Sequence, residues 1–402
     1  MTLSEELTWR GFVNQTTLKN LAELDDKPRA IYFGVDPSGA GMQIGNLASA
    51  MMVRQLAANG HTVYLLLGGA TGMIGDPDGK LDERDLRAVD EIETNKAEIK
   101  RQYESLFSGL DIHIVDNNDW FQHIHYLSFL RDIGKHVPMS MMLGRDFIQT
   151  RLGEGGNGIS YAEFSYALIQ AYDFLHLYRE HGVTLQLCGA DQWGNAIAGV
   201  DMIRRIEGAE AHVLSTPLVI NHATGRKFGK TEGGAVWLNA EFTSPYKFYQ
   251  FWLNVDDAGV IEYMKIYTVL SCEEIEEIAA QQSEAPERRV AQKRLAYEVT
   301  KIVHGQERAD AARDATNVLF GGAPLEGAEV IEMLSHELPT GTIGESVSDI
   351  LVASGIAKSK GEVRRLIAGS AISLNGQKIS DDIQVTTQSL LKKGKNTFVL
   401  VR

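Results

Sequence analysis

Hydrophobic and polar positions along the first third of the chain alternate between two periods. Ala30 to Val35 and Thr62 to Gly68 are short, continuous apolar runs rich in β-branched and aromatic residues, and they read as buried strands. Between them, Leu47 to Ala58 carries a helical pattern that stops at Asn59-Gly60. Strand, helix and strand in this order make a βαβ unit. The expected fold class is therefore α/β, with a doubly wound parallel sheet (Rossmann-like) whose ligand lies beyond the carboxyl ends of the strands. Val183 to Leu187 is a further strand, running into the polar cluster Gly189-Ala190-Asp191-Gln192. From Ser244 to about Leu319 the pattern is helical, with Glu273, Glu274, Glu276 and Glu277 on an exposed face. Gly321-Gly322-Ala323-Pro324 interrupts it, and a glycine-containing linker reaches Gly344. The chain divides on this reading into 1–234, a Rossmann-like domain; 235–330, α-helical; and 344–402, a small α+β module.

Composition narrows the class. The 402 residues are 44% hydrophobic and 23% charged, enough to bury a large core in two or three domains. Two cysteines, Cys188 and Cys272, supply neither a disulfide framework nor a metal-ligand spacing, which fits a reducing cytoplasm. Met1 to Asn20 has no apolar run of signal-peptide length, and no stretch is long enough to span a bilayer, so no membrane partner is expected. A net charge of −14 argues against a protein that coats nucleic acid by bulk electrostatics. The charge is uneven, however. Gly344 to Arg402 holds nine basic residues (Lys358, Lys360, Arg364, Arg365, Lys378, Lys392, Lys393, Lys395, Arg402) against five acidic ones (Glu345, Asp349, Glu362, Asp381, Asp382). That local +4 leaves −18 on the rest and points to a local anionic partner, RNA first.

Four elements carry candidate chemistry. Tyr32-Phe33-Gly34-Val35-Asp36-Pro37-Ser38 takes a strand into a turn and then a helix N-terminus, aiming backbone N–H groups at an anion above the sheet. Tyr166, Gln170 and Asp173 fall on one helix face by steps of four and three. Phe164, Leu168 and Phe174 make that helix internal, so a phenol, an amide and a carboxylate there should line a polar pocket rather than a solvated stripe. Asp191 and Gln192 leave a strand end where a ribose or carboxylate would be read by short polar groups. The Gly225 to Thr231 loop carries Lys227 and Lys230, which can swing onto a polyphosphate and offset charge as pyrophosphate leaves. Each signal is weak alone; their joint occurrence in order is specific.

From end to end the chain resembles the bacterial-type tyrosyl-tRNA synthetases. The shared wording includes Trp9-Arg10-Gly11, Gly68 to Asp76, Phe129 to His136, Glu163-Phe164-Ser165-Tyr166, Asp191 to Asn195, Lys227-Phe228-Gly229-Lys230-Thr231 and Ser244 to Trp252. The resemblance implies a class I ligase that activates L-tyrosine with ATP, accompanied by Mg²⁺ and with no protein-bound metal, and transfers it to tRNA(Tyr). It further implies a homodimer built around an insertion near 119–152 and an anticodon-side role for 235–330. Tyr32 and Asp173 match the pair that reads the substrate phenol. Asp76, Tyr166 and Gln170 match the residues that hold its ammonium, and Gln192 the one that positions its carboxylate. Gly34, Asp36, Ser38, Gly45, Gly189 and Asp191 match the ATP and adenylate side. Lys80, Arg84, Lys227, Lys230 and Thr231 match the pyrophosphate side. Leu351 to Gly376, with Lys358, Lys360, Arg364 and Arg365, resembles the alpha-L RNA-binding module that ends the family; the segment from Lys378 to Arg402 is shorter than the family pattern.

The chain departs from the family on the nucleotide side. Gln43-Ile44-Gly45-Asn46 stands where the family has His-Ile-Gly-His, Phe33 replaces a small polar cysteine beside the ribose, and Ser38 replaces a threonine. Glutamine and asparagine amides can place an N–H near the positions of imidazole nitrogens, so slowed or retuned adenylation is expected rather than none. Phe33 can stack, narrow the site or displace the nucleotide. Two other activities share these motifs: a tyrosyl-adenylate-forming paralogue with a non-tRNA acceptor, and a non-catalytic RNA-binding relative.

Overall fold

In the computed structural model the apolar runs become a six-stranded sheet. The structure describes residues 1–77, 88–144, 146–153, 157–222, 224–225, 228–231 and 234–402. Strands β1 (Gln15–Thr16), β2 (Ala30–Val35), β3 (Thr62–Leu67), β4 (Ile112–Asp116), β5 (Leu185–Gly189) and β6 (His212–Thr216) lie in the order β1-β6-β5-β2-β3-β4. All neighbours are parallel except β1, which is antiparallel to β6. The chain builds outward from β2 in one direction through β3 and β4, then resumes on the other side with β5 and β6. The switch point lies between β2 and β5, where a doubly wound sheet opens a crevice.

The chain falls into two compact units, Met1–Thr243 with Val255–Leu295, and Ser244–Asn254 with Ala296–Arg402. In the first unit, the long helix Tyr161–His181 crosses the sheet. Ser160 caps its start, accepting from Glu163 N–H at 3.2 Å, and Gly182 ends it in the left-handed conformation at φ 64°. Its apolar side, including Ala171, Phe174, Leu175 and Leu177, is buried against Tyr32, Val183, Met202 and Ile203. A buried ion pair, Arg151 Nη1 to Glu163 Oε2 at 3.0 Å, ties the Asp146–Leu152 helix to its first turn.

In the second unit β9 (Thr340–Gly341), β10 (Ile372–Leu374), β11 (Gln377–Lys378), β12 (Ser389–Lys393) and β13 (Thr397–Val401) form a sheet in the order β11-β10-β12-β13-β9; the hairpin β7 (Lys230–Thr231) and β8 (Gly234–Ala235) precedes them in the chain and belongs to the first unit. Leu390, Phe398 and Leu400 of this sheet share a core with Tyr246, Ala315, Val318 and Leu334 of the helices. On the other side, Val347, Leu351, Val363 and Ile367 pack on Ile372, Leu391 and Val399. Among the described residues no helix is long and apolar enough to cross a membrane.

Arg10 shows how the N-terminal helix is fastened to the first unit. Its guanidinium is 3% exposed; Nη1 donates to the carbonyls of Lys265 at 2.8 Å and Thr268 at 3.1 Å, and Nη2 to Leu270 at 2.7 Å. These are carbonyls at and just beyond the end of the Val260–Tyr267 helix, which has no further intrahelical donor to offer them. Arg10→Ala leaves three buried acceptors unmet and should lower unfolding stability by about 2–4 kcal/mol, read as a shift of the urea transition midpoint; an unchanged midpoint contradicts this role.

Candidate functional site

The carboxyl ends of β2 and β5 open into a cavity of about 750 Å³. Its lining includes Tyr32, Gly34, Asp36, Ser38, Gln43, Gly45, Asn46, Asp76, Tyr166, Gln170, Asp173, Gly189, Asp191 and Gln192, so residues from four distant segments converge on one site. Lys80, Arg84 and Lys227 lie outside the described residues, and of Lys230 and Thr231 only the backbone, strand β7, is described. Lys358, Lys360, Arg364 and Arg365 are exposed in the second unit, at the start and along the Lys360–Ala368 helix that Ser359 caps.

At the deep end Asp173 is 1% exposed. Trp120 Nε1 donates to its Oδ1 at 3.0 Å and Asn117 Nδ2 to its Oδ2 at 3.1 Å. Burial still holds the carboxyl well above its ordinary range; the two donors oppose that shift, and the charges of Asp36 and Asp116 add to it. Tyr32, 1% exposed on β2, lies beside it, with its ring 5.9 Å from Phe174. Burial first, then Asp173 and Asp36, raise the Tyr32 phenol, which therefore stays protonated and can donate.

The network continues toward the mouth. Asn117 Nδ2 also lies 3.1 Å from Thr71 Oγ1, which donates to Asp36 Oδ1 at 2.6 Å, and Tyr166 OH donates to Asp36 Oδ2 at 2.7 Å. A Cβ on Gly68 would come within 2.1 Å of Asp36 Oδ1, so the strand end stays bare where this carboxylate turns back. Across the cavity Gln192 Nε2 donates to Asp76 Oδ2 at 2.5 Å, and Asn195 Nδ2 donates to Gln192 Oε1 at 3.1 Å. Gln170 Oε1 is buried and has no hydrogen-bond partner among the described residues. Asp36, Asp76 and this amide oxygen make the wall rich in acceptor oxygens.

On the opposite wall Gln43 precedes the Ile44–Ala58 helix, and its backbone N–H donates to Asn46 Oδ1 at 3.0 Å. Asn46 thus caps its own helix with the oxygen of its amide and leaves the NH₂ half as the donor. Ile44 N–H donates to Val236 O at 3.1 Å and Val236 N–H to Gly229 O at 3.1 Å, so the segments around Gln43 to Asn46 and Gly229 are joined through one backbone strip. Phe33 is 7% exposed and registers with Leu65 and Leu187.

Sequence reasoning gave no role to Thr71, Asn117, Trp120 and Trp237, and named Gln186 and Asn195 only as neighbours of Asp191 and Gln192. Asn117 follows β4 in Asp116-Asn117-Asn118, the same polar strand-end signal that marks Gly189 to Gln192. Trp120 carries no comparable signal.

Known proteins match this arrangement. A family model described as tRNA synthetases class I (W and Y) matches residues 24–321, and one for the tyrosine–tRNA ligase SYY-like C-terminal domain matches 330–402. A tyrosine–tRNA ligase of Levilactobacillus brevis is 42% identical, covering 100% of this chain and 99% of its own length; one of Anaeromyxobacter dehalogenans is 44% identical at the same coverage. The crystal structure of a C-terminally truncated Aspergillus nidulans mitochondrial tyrosyl-tRNA synthetase superposes with a TM-score of 0.72 at 31% identity, over 79% of this chain and 94% of that one. The chain belongs to the class I aminoacyl-tRNA synthetases. Within that class its activity is that of a tyrosine–tRNA ligase, an ATP-using enzyme, and neither the non-tRNA paralogue nor the non-catalytic relative is favoured.

Because Trp120 and Asn117 donate to the ionised form of Asp173, removing either donor should push its carboxyl further up. Carbon-13 NMR of labelled aspartate in the unliganded protein should show Asp173 titrating above the ordinary carboxylate value of about 4, and higher again in Trp120→Phe. A midpoint at or below the ordinary value contradicts the burial account.

Proposed function

We propose that the cavity holds L-tyrosine with its phenol at the Tyr32–Asp173 end and its ammonium against Asp76, Tyr166 and Gln170. The observation that carries this reading is the doubly donated, buried Asp173 beside a protonated Tyr32. A substrate hydroxyl can donate to the carboxylate and accept from the Tyr32 phenol; an analogue without it would leave both buried groups unmet. The partnerless Gln170 Oε1 and the nearby carboxylates suit the ammonium. Gln192, aligned by Asp76 and Asn195, orients the substrate carboxylate.

Gly34, Asp36, Ser38, Gly45, Gly189 and Asp191 take the ATP and adenylate side. At Gly45 a Cβ would meet nothing within 4 Å, so its bareness serves what enters the cavity rather than packing. The tyrosine carboxylate oxygen attacks the α-phosphorus, forming the new P–O bond as the bond to pyrophosphate breaks. A terminal ribose hydroxyl of tRNA(Tyr) then attacks the acyl carbon, gives up its proton, and AMP leaves. Gln43 and Asn46 donate amide N–H groups to the phosphates, and Lys80, Arg84, Lys227, Lys230 and Thr231 complete the pyrophosphate side. Mg²⁺ would accompany ATP as part of the substrate and offset charge on its phosphates.

The exposed residues Lys358, Lys360, Arg364 and Arg365 serve tRNA in the 344–402 module, and 235–330 serves its anticodon side. The working form is a cytoplasmic homodimer paired through 119–152. Tyr126, Leu127, Met139 and Leu152 are exposed there, an apolar concentration that a second copy would cover. Leu127→Asp should convert the dimer to monomer in sedimentation at micromolar concentration; a wild-type chain that sediments as a monomer contradicts the assembly.

Tyrosine-dependent exchange of labelled pyrophosphate into ATP tests the chemistry. The wild-type chain should exchange and should charge tRNA(Tyr). Gln43→Ala or Asn46→Ala should slow exchange roughly a hundred- to a thousand-fold with tyrosine affinity unchanged, as expected for a lost transition-state donor. Rates that do not move would remove both amides from the nucleotide site.

A further inference from the structure

Ser38 and Gln43 flank a loop, Gly39-Ala40-Gly41-Met42, that has no regular structure to hold it. It is tightly folded: Ser38 N–H donates to Asp36 O and Gly41 N–H to Gly39 O, each at 2.7 Å. From outside it is held by the Val89–Leu106 helix and, at its Met42 end, also by Leu238 N–H, which donates to Met42 O at 2.9 Å. Asn95 Nδ2 donates to Pro37 O at 3.1 Å, and Gln102 Oε1 accepts from Met42 N–H at 2.8 Å. The two amides are seven residues apart and therefore on one helix face. Both are buried, at 5% and 8% exposure, and each meets one end of the loop.

The clamp is itself braced. Gln102 Nε2 donates to Glu98 Oε1 at 2.8 Å, which fixes the direction of its amide, and Lys96 Nζ reaches Asp116 Oδ2 at 2.5 Å, fastening the helix to the end of β4. Gly41 is at φ 136°, and a Cβ there would come within 2.7 Å of Gln102 Nε2, so the loop lies directly on the clamp. Pro37 is pinned from the other side, 3.0 Å from where a Cβ on Gly72 would stand.

We infer that Asn95 and Gln102 are positioning residues for ATP: they touch no substrate, but set the spacing between Ser38 and Gln43 that the triphosphate must match. This rests on the placement of Ser38 and Gln43 on the nucleotide side. A loop released at either end samples several conformations, and ATP must select the one that binds, which raises its apparent dissociation constant by the inverse of that fraction. Tyrosine, bound among Tyr32, Gln170 and Asp173, does not depend on the loop.

The test is the KM for ATP in tyrosine-dependent pyrophosphate exchange, measured beside the tyrosine Kd. Gln102→Leu, which removes the acceptor of Met42 N–H, and Asn95→Asp, which turns a donor to Pro37 O into a repelling carboxylate, should each raise the KM for ATP on the order of tenfold and leave tyrosine binding unchanged. Gln102→Glu alone sets a carboxylate against Glu98 and should be as impaired. The double variant Glu98→Gln with Gln102→Glu restores both an oxygen facing Met42 N–H and a donor facing that oxygen, and should return the KM to within about threefold of wild type. An unchanged KM in Gln102→Leu, a tyrosine Kd that worsens in step with it, or a double variant no better than Gln102→Glu would overturn the inference. A wild-type chain that binds tyrosine yet shows no exchange would overturn the reading of the nucleotide side, and this inference with it.

Discussion

Desolvation of Asp173 is the constraint on which the rest of the site depends. A carboxyl that is 1% exposed loses its hydration and must find donors in the protein. The fold supplies them from a segment more than fifty residues away, Asn117 and Trp120, which follow β4 and lie at the carboxyl end of the parallel sheet. Even so, burial outweighs the two hydrogen bonds and the carboxyl stays above its ordinary range. In the proposed reading a substrate phenol adds a third donor to this carboxyl while accepting from Tyr32.

From Asp173 the polar chain runs without interruption through Asn117 and Thr71 to Asp36, which Tyr166 meets from the other side. The Asp173 end and the Asp36 end of the cavity are therefore one hydrogen-bonded object. The opposite wall is organised differently. There the backbone does the joining: Gly229, Val236 and Ile44 are linked by N–H to carbonyl bonds, and Asn46 caps the helix on which it stands. Gln43 and Asn46 lie on this second wall, where main-chain hydrogen bonds hold the geometry.

Much of this was legible in the residues. The runs Ala30 to Val35 and Thr62 to Gly68 announced β2 and β3 because buried parallel strands are apolar on both faces. Tyr166, Gln170 and Asp173 announced a polar helix face because 3.6-residue periodicity survives in one dimension. The sequence pattern places the start of the Ile44–Ala58 helix at Leu47, since Gln43 is not a usual N-cap residue; it begins at Ile44, with Asn46 accepting from Gln43 N–H as the return half of a capping box. Val183 and Thr184 were read into β5, which starts at Leu185. What stayed hidden shares one cause. Asn117, Trp120, Thr71, Asn95 and Gln102 act by touching segments 35 to 60 residues distant, and no local pattern records such a meeting.

The central claim is that a buried pair, Tyr32 and Asp173, chooses the amino acid by its phenol hydroxyl. The most direct measurement compares L-tyrosine with L-phenylalanine as the amino acid in pyrophosphate exchange by the purified chain. The account predicts exchange with tyrosine and, with phenylalanine, a kcat/KM lower by at least about a hundredfold, since two buried groups then lose their partner. Equal exchange with both, or a preference for phenylalanine, would contradict it.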